Sequence, residues 1–178
     1  AVTACGFPAE IITLLEDTSR ETATAFMKLN AYLDVLIPRG GAGLIANTVQ
    51  NATVPVLETG TGNCHVYVDK DADPAKVIPI IINAKTQRTS VCNACESVLF
   101  HKGCNAEQIQ ALLQELKKHH VIVHADQWIC TLDSDCIPAT EDDYGREYLD
   151  LEISIKIVSS LEEAISHINT YSTHHSET

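Results

Sequence analysis

Apolar residues in this chain recur with two periods that take turns along its length, and this alternation restricts the fold more than any single motif does. Ile109, Leu112, Leu113 and Leu116 fall at i, i+3, i+4 and i+7 behind Asn105 and Gln108, which resemble a capping box, so the spacing predicts a helix there. Val121 to Ala125 reads as a strand, and Leu151, Ile153, Ile155 and Ile157 alternate with Glu152, Ser154 and Lys156 at the period of another. Ser160 with Glu163 then caps a last helix holding Leu161, Ile165 and Ile168. Upstream, His65 to Asp69 and Ser97 to His101 read as strands around a helix that starts at Asp73-Pro74 and that Pro79 should kink or shorten. Residues 20–33 read as a helix, Val35 to Ile37 and Thr53 to Glu58 as short buried strands, and Leu44 to Gln50 as a helix between them. Thr59-Gly60-Thr61-Gly62 closes the second of these strands, and the polar, acid-rich residues 126–148 read as a long surface loop. Strands and helices in alternation make an α/β fold, with no repeat, low-complexity tract or linker to divide it.

Composition removes several functional classes. Among 178 residues, 12 Lys and Arg against 24 Asp and Glu give a formal net charge of −12, which repels nucleic acid. At 45% hydrophobic and 20% charged the chain is globular in composition, and no apolar stretch approaches the length of a membrane helix. Ala1 to Gly6 lacks the basic and apolar regions of a signal peptide, and seven Cys is an odd number, so reduced thiols in a cytoplasmic protein are expected.

Four constellations could carry chemistry. Pro38-Arg39-Gly40-Gly41-Ala42-Gly43, between strand and helix, suits either a phosphate held by a helix N-terminus or an ordinary tight turn. Thr86 to Cys95 is a polar loop in which Cys92, near Arg88, could be a nucleophilic thiolate or a small buried residue, and Cys92 with Cys95 forms a lone C-x-x-C open to a thiol or metal reading. The adjacent pairs His119-His120 and His174-His175 are poor metal ligands, because neighbouring side chains diverge, and the first pair suits a helix C-terminus. Asp133, Asp135, Glu141, Asp142 and Asp143 lack the order of a calcium loop and read as a solvated surface, so no metal site is expected.

Taken in order, longer blocks carry a resemblance. Met27 to Ile45, Val54 to Gly60, Asn63 to Asp69, Asn83 to Arg88 and Ser90 to Ala94 resemble the gamma-glutamyl phosphate reductase (glutamate-5-semialdehyde dehydrogenase) family of proline biosynthesis, within the aldehyde dehydrogenase superfamily. The resemblance implies an aldehyde dehydrogenase-like α/β fold, with residues 1–62 a remnant of the NADPH-binding domain and 63–178 the core of the catalytic domain. It implies NADPH-dependent reduction of L-glutamyl 5-phosphate to L-glutamate 5-semialdehyde through a thioester on Cys92, with Cys95 where relatives commonly carry a small residue.

By the same resemblance Arg39, Gly40 and Gly41 lie under the cofactor pyrophosphate, and Glu147 matches the glutamate that holds the nicotinamide ribose. Glu58 matches a glutamate that serves as base in hydrolytic relatives, a role a phosphate-releasing enzyme does not need, so its part stays open. Thr89 departs from a common Pro, and Thr173 to Glu177 from a Gly-containing turn. Family chains are more than twice as long, so this one resembles a middle piece of an enzyme that is a homo-oligomer when complete. The alternatives are a folded, inactive fragment of that enzyme and a thiol or metal module built on Cys92 and Cys95.

Overall fold

The computed structural model describes residues 2–58 and 60–178, in two compact units, Ala1–Thr59 and Gly60–Thr178. Thr59, in the expected turn 59–62, lies outside the described residues.

The first unit carries two 3₁₀ turns and two helices, α1 (Arg20–Phe26) and α2 (Ala42–Asn51). Ser19 caps α1 by accepting the Thr22 N–H at 3.1 Å. The helix expected over 20–33 ends at Phe26, because the Met27 carbonyl turns to accept the N–H groups of Thr53 and Val54 and the Asn30 side chain donates to the Thr53 carbonyl. The strands expected at 35–37 and 53–58 shrink to one parallel bridge, Leu36 with Val56. Among the described residues of this unit, Met27, Leu36 and Val54 form a buried cluster, while Val35, Ile37 and Leu57 are exposed.

The second unit is a five-stranded, wholly parallel sheet in the order β1-β2-β5-β3-β4, built from β1 (Cys64–Val68), β2 (Cys95–His101), β3 (Ile122–Ala125), β4 (Ile137–Pro138) and β5 (Glu152–Val158). Helices α3 (Pro74–Thr86) and α4 (Ala106–Lys118) connect β1 to β2 and β2 to β3. Asp73 caps α3 through the Ala75 N–H and Asn105 caps α4 through the Glu107 N–H. Pro79 does not end α3. Sitting just past the first turn, it forfeits only the bond to the Ala75 carbonyl. Ile81, Leu112 and Leu116 pack with Val98, Phe100, Ile153 and Ile155 in the main core. Residues 95–100 of β2 are all buried, as befits a central strand of a parallel sheet.

The surface loop expected over 126–148 is instead folded, holding α5 (Gln127–Leu132), β4 and α6 (Glu141–Tyr144). Asp126 accepts from the N–H groups of Ile129 and Ile157, and Thr140 and Asp143 cap α6 reciprocally, so two of the acids organise backbone rather than face water. The final helix, α7 (Leu161–Tyr171), also turns differently than expected: Leu161 and Ile165 are half exposed, and Ala164 and His167 are buried. It meets an aromatic and polar side of the unit, where His167 packs against His65, Tyr144 and Tyr171.

Candidate active site

Three segments enter neighbouring parallel strands from one edge: Gly62 precedes β1, Cys92 precedes β2 and Glu147 precedes β5. Because the strands run in one direction, all three segments emerge at the amino-terminal edge of the sheet. Cys92 is exposed there. Cys95, three residues on, is fully buried in β2, its thiol donates to the Ser97 carbonyl, and burial pushes it up to about 12. The C-x-x-C is therefore split between solvent and core. Among the described residues no group of three or more His, Cys, Asp or Glu is arranged to hold a metal ion.

Backbone contact fixes the Cys92 loop. A Cβ added to Gly62 would lie 1.5 Å from the Cys92 carbonyl oxygen and 2.6 Å from its Cα, so only glycine fits. The Cys64 thiol donates to the same carbonyl at 3.1 Å, and burial pushes that thiol up to about 11, a poor nucleophile beside an exposed one. Glu147 Oε1 accepts the Gly62 N–H at 2.6 Å, which joins the 147 segment to the Cys92 loop. Arg88 is exposed and forms no salt bridge among the described residues.

Arg39, Gly40, Gly41 and Glu58 belong to the other unit. Arg39 and Glu58 are exposed. Gly40 has φ +156° and its missing Cβ would meet Leu44 at 2.9 Å, whereas Gly41, the N-cap of α2, has φ −69° with nothing within 4 Å. The conformational need for glycine in this turn thus sits at Gly40 rather than Gly41. Among the described residues no side chain caps α2.

Sequence reasoning missed Gly62, Cys64, Lys85 and Glu96. The last two had a signal, since a glutamate opening an otherwise uncharged run, Cys95 to Phe100, needs a partner.

No family model matches the chain. A gamma-glutamyl phosphate reductase of Agathobacter rectalis is 58% identical over 169 residues, covering 93% of this chain and 40% of the relative. The enzyme of the same name from Lachnospira eligens is 53% identical, covering 97% and 41%. The crystal structure of the Thermotoga maritima gamma-glutamyl phosphate reductase superposes with a TM-score of 0.85 at 50% identity, over 92% of this chain and 39% of that one. Over this span the chain is a gamma-glutamyl phosphate reductase homologue. It spans about two fifths of the length of the curated relatives it matches. A propionaldehyde dehydrogenase of Rhodopseudomonas palustris, 16% identical with a TM-score of 0.71 over 99% of this chain and 47% of its own, shares the fold. The second unit of this reductase homologue thus has an aldehyde dehydrogenase-like α/β architecture.

Proposed function

We propose that this chain carries the nucleophile and part of the cofactor site of an enzyme that reduces L-glutamyl 5-phosphate to L-glutamate 5-semialdehyde, releasing phosphate, in proline biosynthesis. The observation that carries the reading is the exposed Cys92 on a loop held by Gly62, in a chain 58% identical to a protein of that name. Cys92 as thiolate attacks the acyl carbon, the carbon–oxygen bond to phosphate breaks with its electron pair, and a thioester remains on the sulfur. NADPH supplies, when bound, the hydride that takes the thioester to the aldehyde oxidation level and frees the thiol. The exposed Arg39, the uncapped first turn of α2 and the open space beside Gly41 fit a dinucleotide phosphate. Glu147 is assigned to the nicotinamide ribose through the oxygen that Gly62 does not occupy.

We further assign residues 1–62 to the nucleotide-binding part and 63–178 to the catalytic part of a homo-oligomeric cytoplasmic enzyme. Seven free thiols suit a reducing compartment.

The test is a chimera in which this chain replaces the matching segment of the full-length Agathobacter rectalis relative. Cys92→Ala should lower NADPH oxidation with glutamyl phosphate by about a thousandfold or more, while Cys95→Ala should keep it within about threefold. Equal losses from the two substitutions would return the paired-cysteine reading.

A further inference from the structure

We propose that the buried Lys85–Glu96 ion pair is a positioning element that couples the Cys92 loop to the segment carrying Glu147. The inference rests on the reading of Cys92 as nucleophile. Lys85 Nζ lies 2.7 Å from Glu96 Oε2, and both side chains are wholly inaccessible to solvent. Lys85 stands in the last turn of α3 and Glu96 is the second residue of β2, so the pair joins the two ends of the loop 87–94 that contains Cys92.

The other Glu96 oxygen reaches across the sheet. Oε1 accepts the Leu149 N–H at 3.3 Å, and the Glu96 carbonyl accepts from the Ser154 hydroxyl at 3.3 Å on β5. Leu149 has φ +57°, a left-handed conformation that a branched residue keeps only where its surroundings dictate it. The Tyr148 ring lies 6.0 Å from Lys85 Nζ, so the ammonium also borders this turn. Two residues before Leu149, Glu147 accepts the Gly62 N–H, and Gly62 lies hard against the Cys92 carbonyl. The chain of contacts therefore closes on itself: Lys85, Glu96, the 148–149 backbone, Glu147, Gly62 and the Cys92 loop.

A buried ion pair is weak evidence for stability. Apolar residues of similar volume in place of a buried ion pair often leave a fold as stable or more so, whereas a pair with remaining lone pairs directed at backbone groups fixes geometry. Burial pushes the Glu96 carboxyl upward, and the Lys85 ammonium opposes that rise.

Two double variants of the 178-residue chain separate positioning from packing. Lys85→Met with Glu96→Gln removes both charges but keeps an acceptor for Leu149. Lys85→Met with Glu96→Leu removes the acceptor too. At matched melting temperatures, the Leu variant should exchange the Gly62 amide about tenfold faster by NMR. It should also be alkylated by iodoacetamide at Cys92 about threefold more slowly, as the loop that presents the thiol loses its fixed geometry. The Gln variant, which loses the ion pair but keeps an acceptor for Leu149, should fall between the wild type and the Leu variant in both.

Identical Gly62 exchange and Cys92 alkylation in the two variants would overturn the proposal. If neither folds, Glu147→Ala acts one link later. Faster Gly62 exchange with slower Cys92 alkylation supports the coupling, and an unchanged Cys92 rate overturns it. A wild-type Cys92 no faster to alkylate than the exposed Cys5 would sink the nucleophile reading instead, and Gly62 exchange would still decide whether the pair positions this segment.

Discussion

Apolar runs of similar length meet opposite fates in the two compact units. In Gly60–Thr178, Val98 to Phe100 and Ile153 to Ile155 are inaccessible, because each strand pairs on both sides and α3 and α4 cover one face. In Ala1–Thr59, Val35-Leu36-Ile37 buries only Leu36, and Ile12, Leu14 and Tyr32 are 72%, 91% and 83% exposed. Propensity is alike in the two regions and the neighbours differ. A β-rich run becomes a strand when another strand takes its N–H and C=O groups, and one bridge satisfies a single pair of residues.

The strongest challenge to this contrast is a matched pair of core truncations. Phe100→Ala empties the centre of the main core and should cost about 3–5 kcal/mol, because a site enclosed by β1, β5 and two helices cannot collapse. Leu36→Ala in the small cluster with Met27 and Val54 should cost less than about 2 kcal/mol, since a half-open site relaxes. Denaturant titrations measure both, and equal costs would mean that the first unit is as tightly packed as the second.

The same contrast explains what the sequence made legible. Elements with a cap and a clear period were readable: Asn105 starts α4, Ser160 starts α7, and the alternation from Leu151 to Ile157 is β5. Residues 126–148 were not, because their organising contacts are long-range. Asp126 reaches Ile157, and Asp143 pairs with His124 and accepts from Tyr148, so acids that look solvated along the chain are internal ligands in space. At the candidate site, the loop that carries Cys92 was legible from its polar sequence. Gly62 was not, since its need for glycine comes from Cys92, thirty residues away in sequence.

A smaller effect separates the units by pH. Burial first, then Lys156 and His65, pushes His167 from 6.5 down to about 4, and burial lowers His65 as well. The folded state thus favours neutral imidazoles, while the unfolded chain takes up protons as pH falls below 6.5. Stability from these groups is complete above pH 6.5 and is lost as pH falls from there through 4. For His167 the loss should be about 3 kcal/mol. His167 Nε2 has no partner among the described residues, so His167→Phe gives up no bond at that atom and should flatten the acid side of a melting-temperature profile. An unchanged acid slope would mean that His167 protonates freely. His65 and His167 both belong to Gly60–Thr178, so acid should loosen that unit's α7 face without touching the Leu36 cluster.

The smallest expected effect lies in the turn before α2. Gly40→Ala demands φ +156° of a residue with a Cβ and brings that Cβ to 2.9 Å from the Leu44 side chain, so it should destabilise by about 1–2 kcal/mol even though Leu44 can move. Gly41→Ala meets nothing within 4 Å and keeps φ −69°, so its melting temperature should stay within the equivalent of about 0.5 kcal/mol of wild type. If the open space beside Gly41 is where a dinucleotide phosphate lies, Gly41→Val in the chimera should raise the NADPH dissociation constant while Cys92 alkylation stays the same. Gly62, by contrast, has its space filled by the Cys92 backbone. The two glycines therefore make opposite predictions: adding a side chain disturbs the thiol at Gly62 and the ligand at Gly41. A Gly41 variant with unchanged cofactor affinity would move the phosphate contact elsewhere and leave Gly40 as a structural requirement of the turn alone.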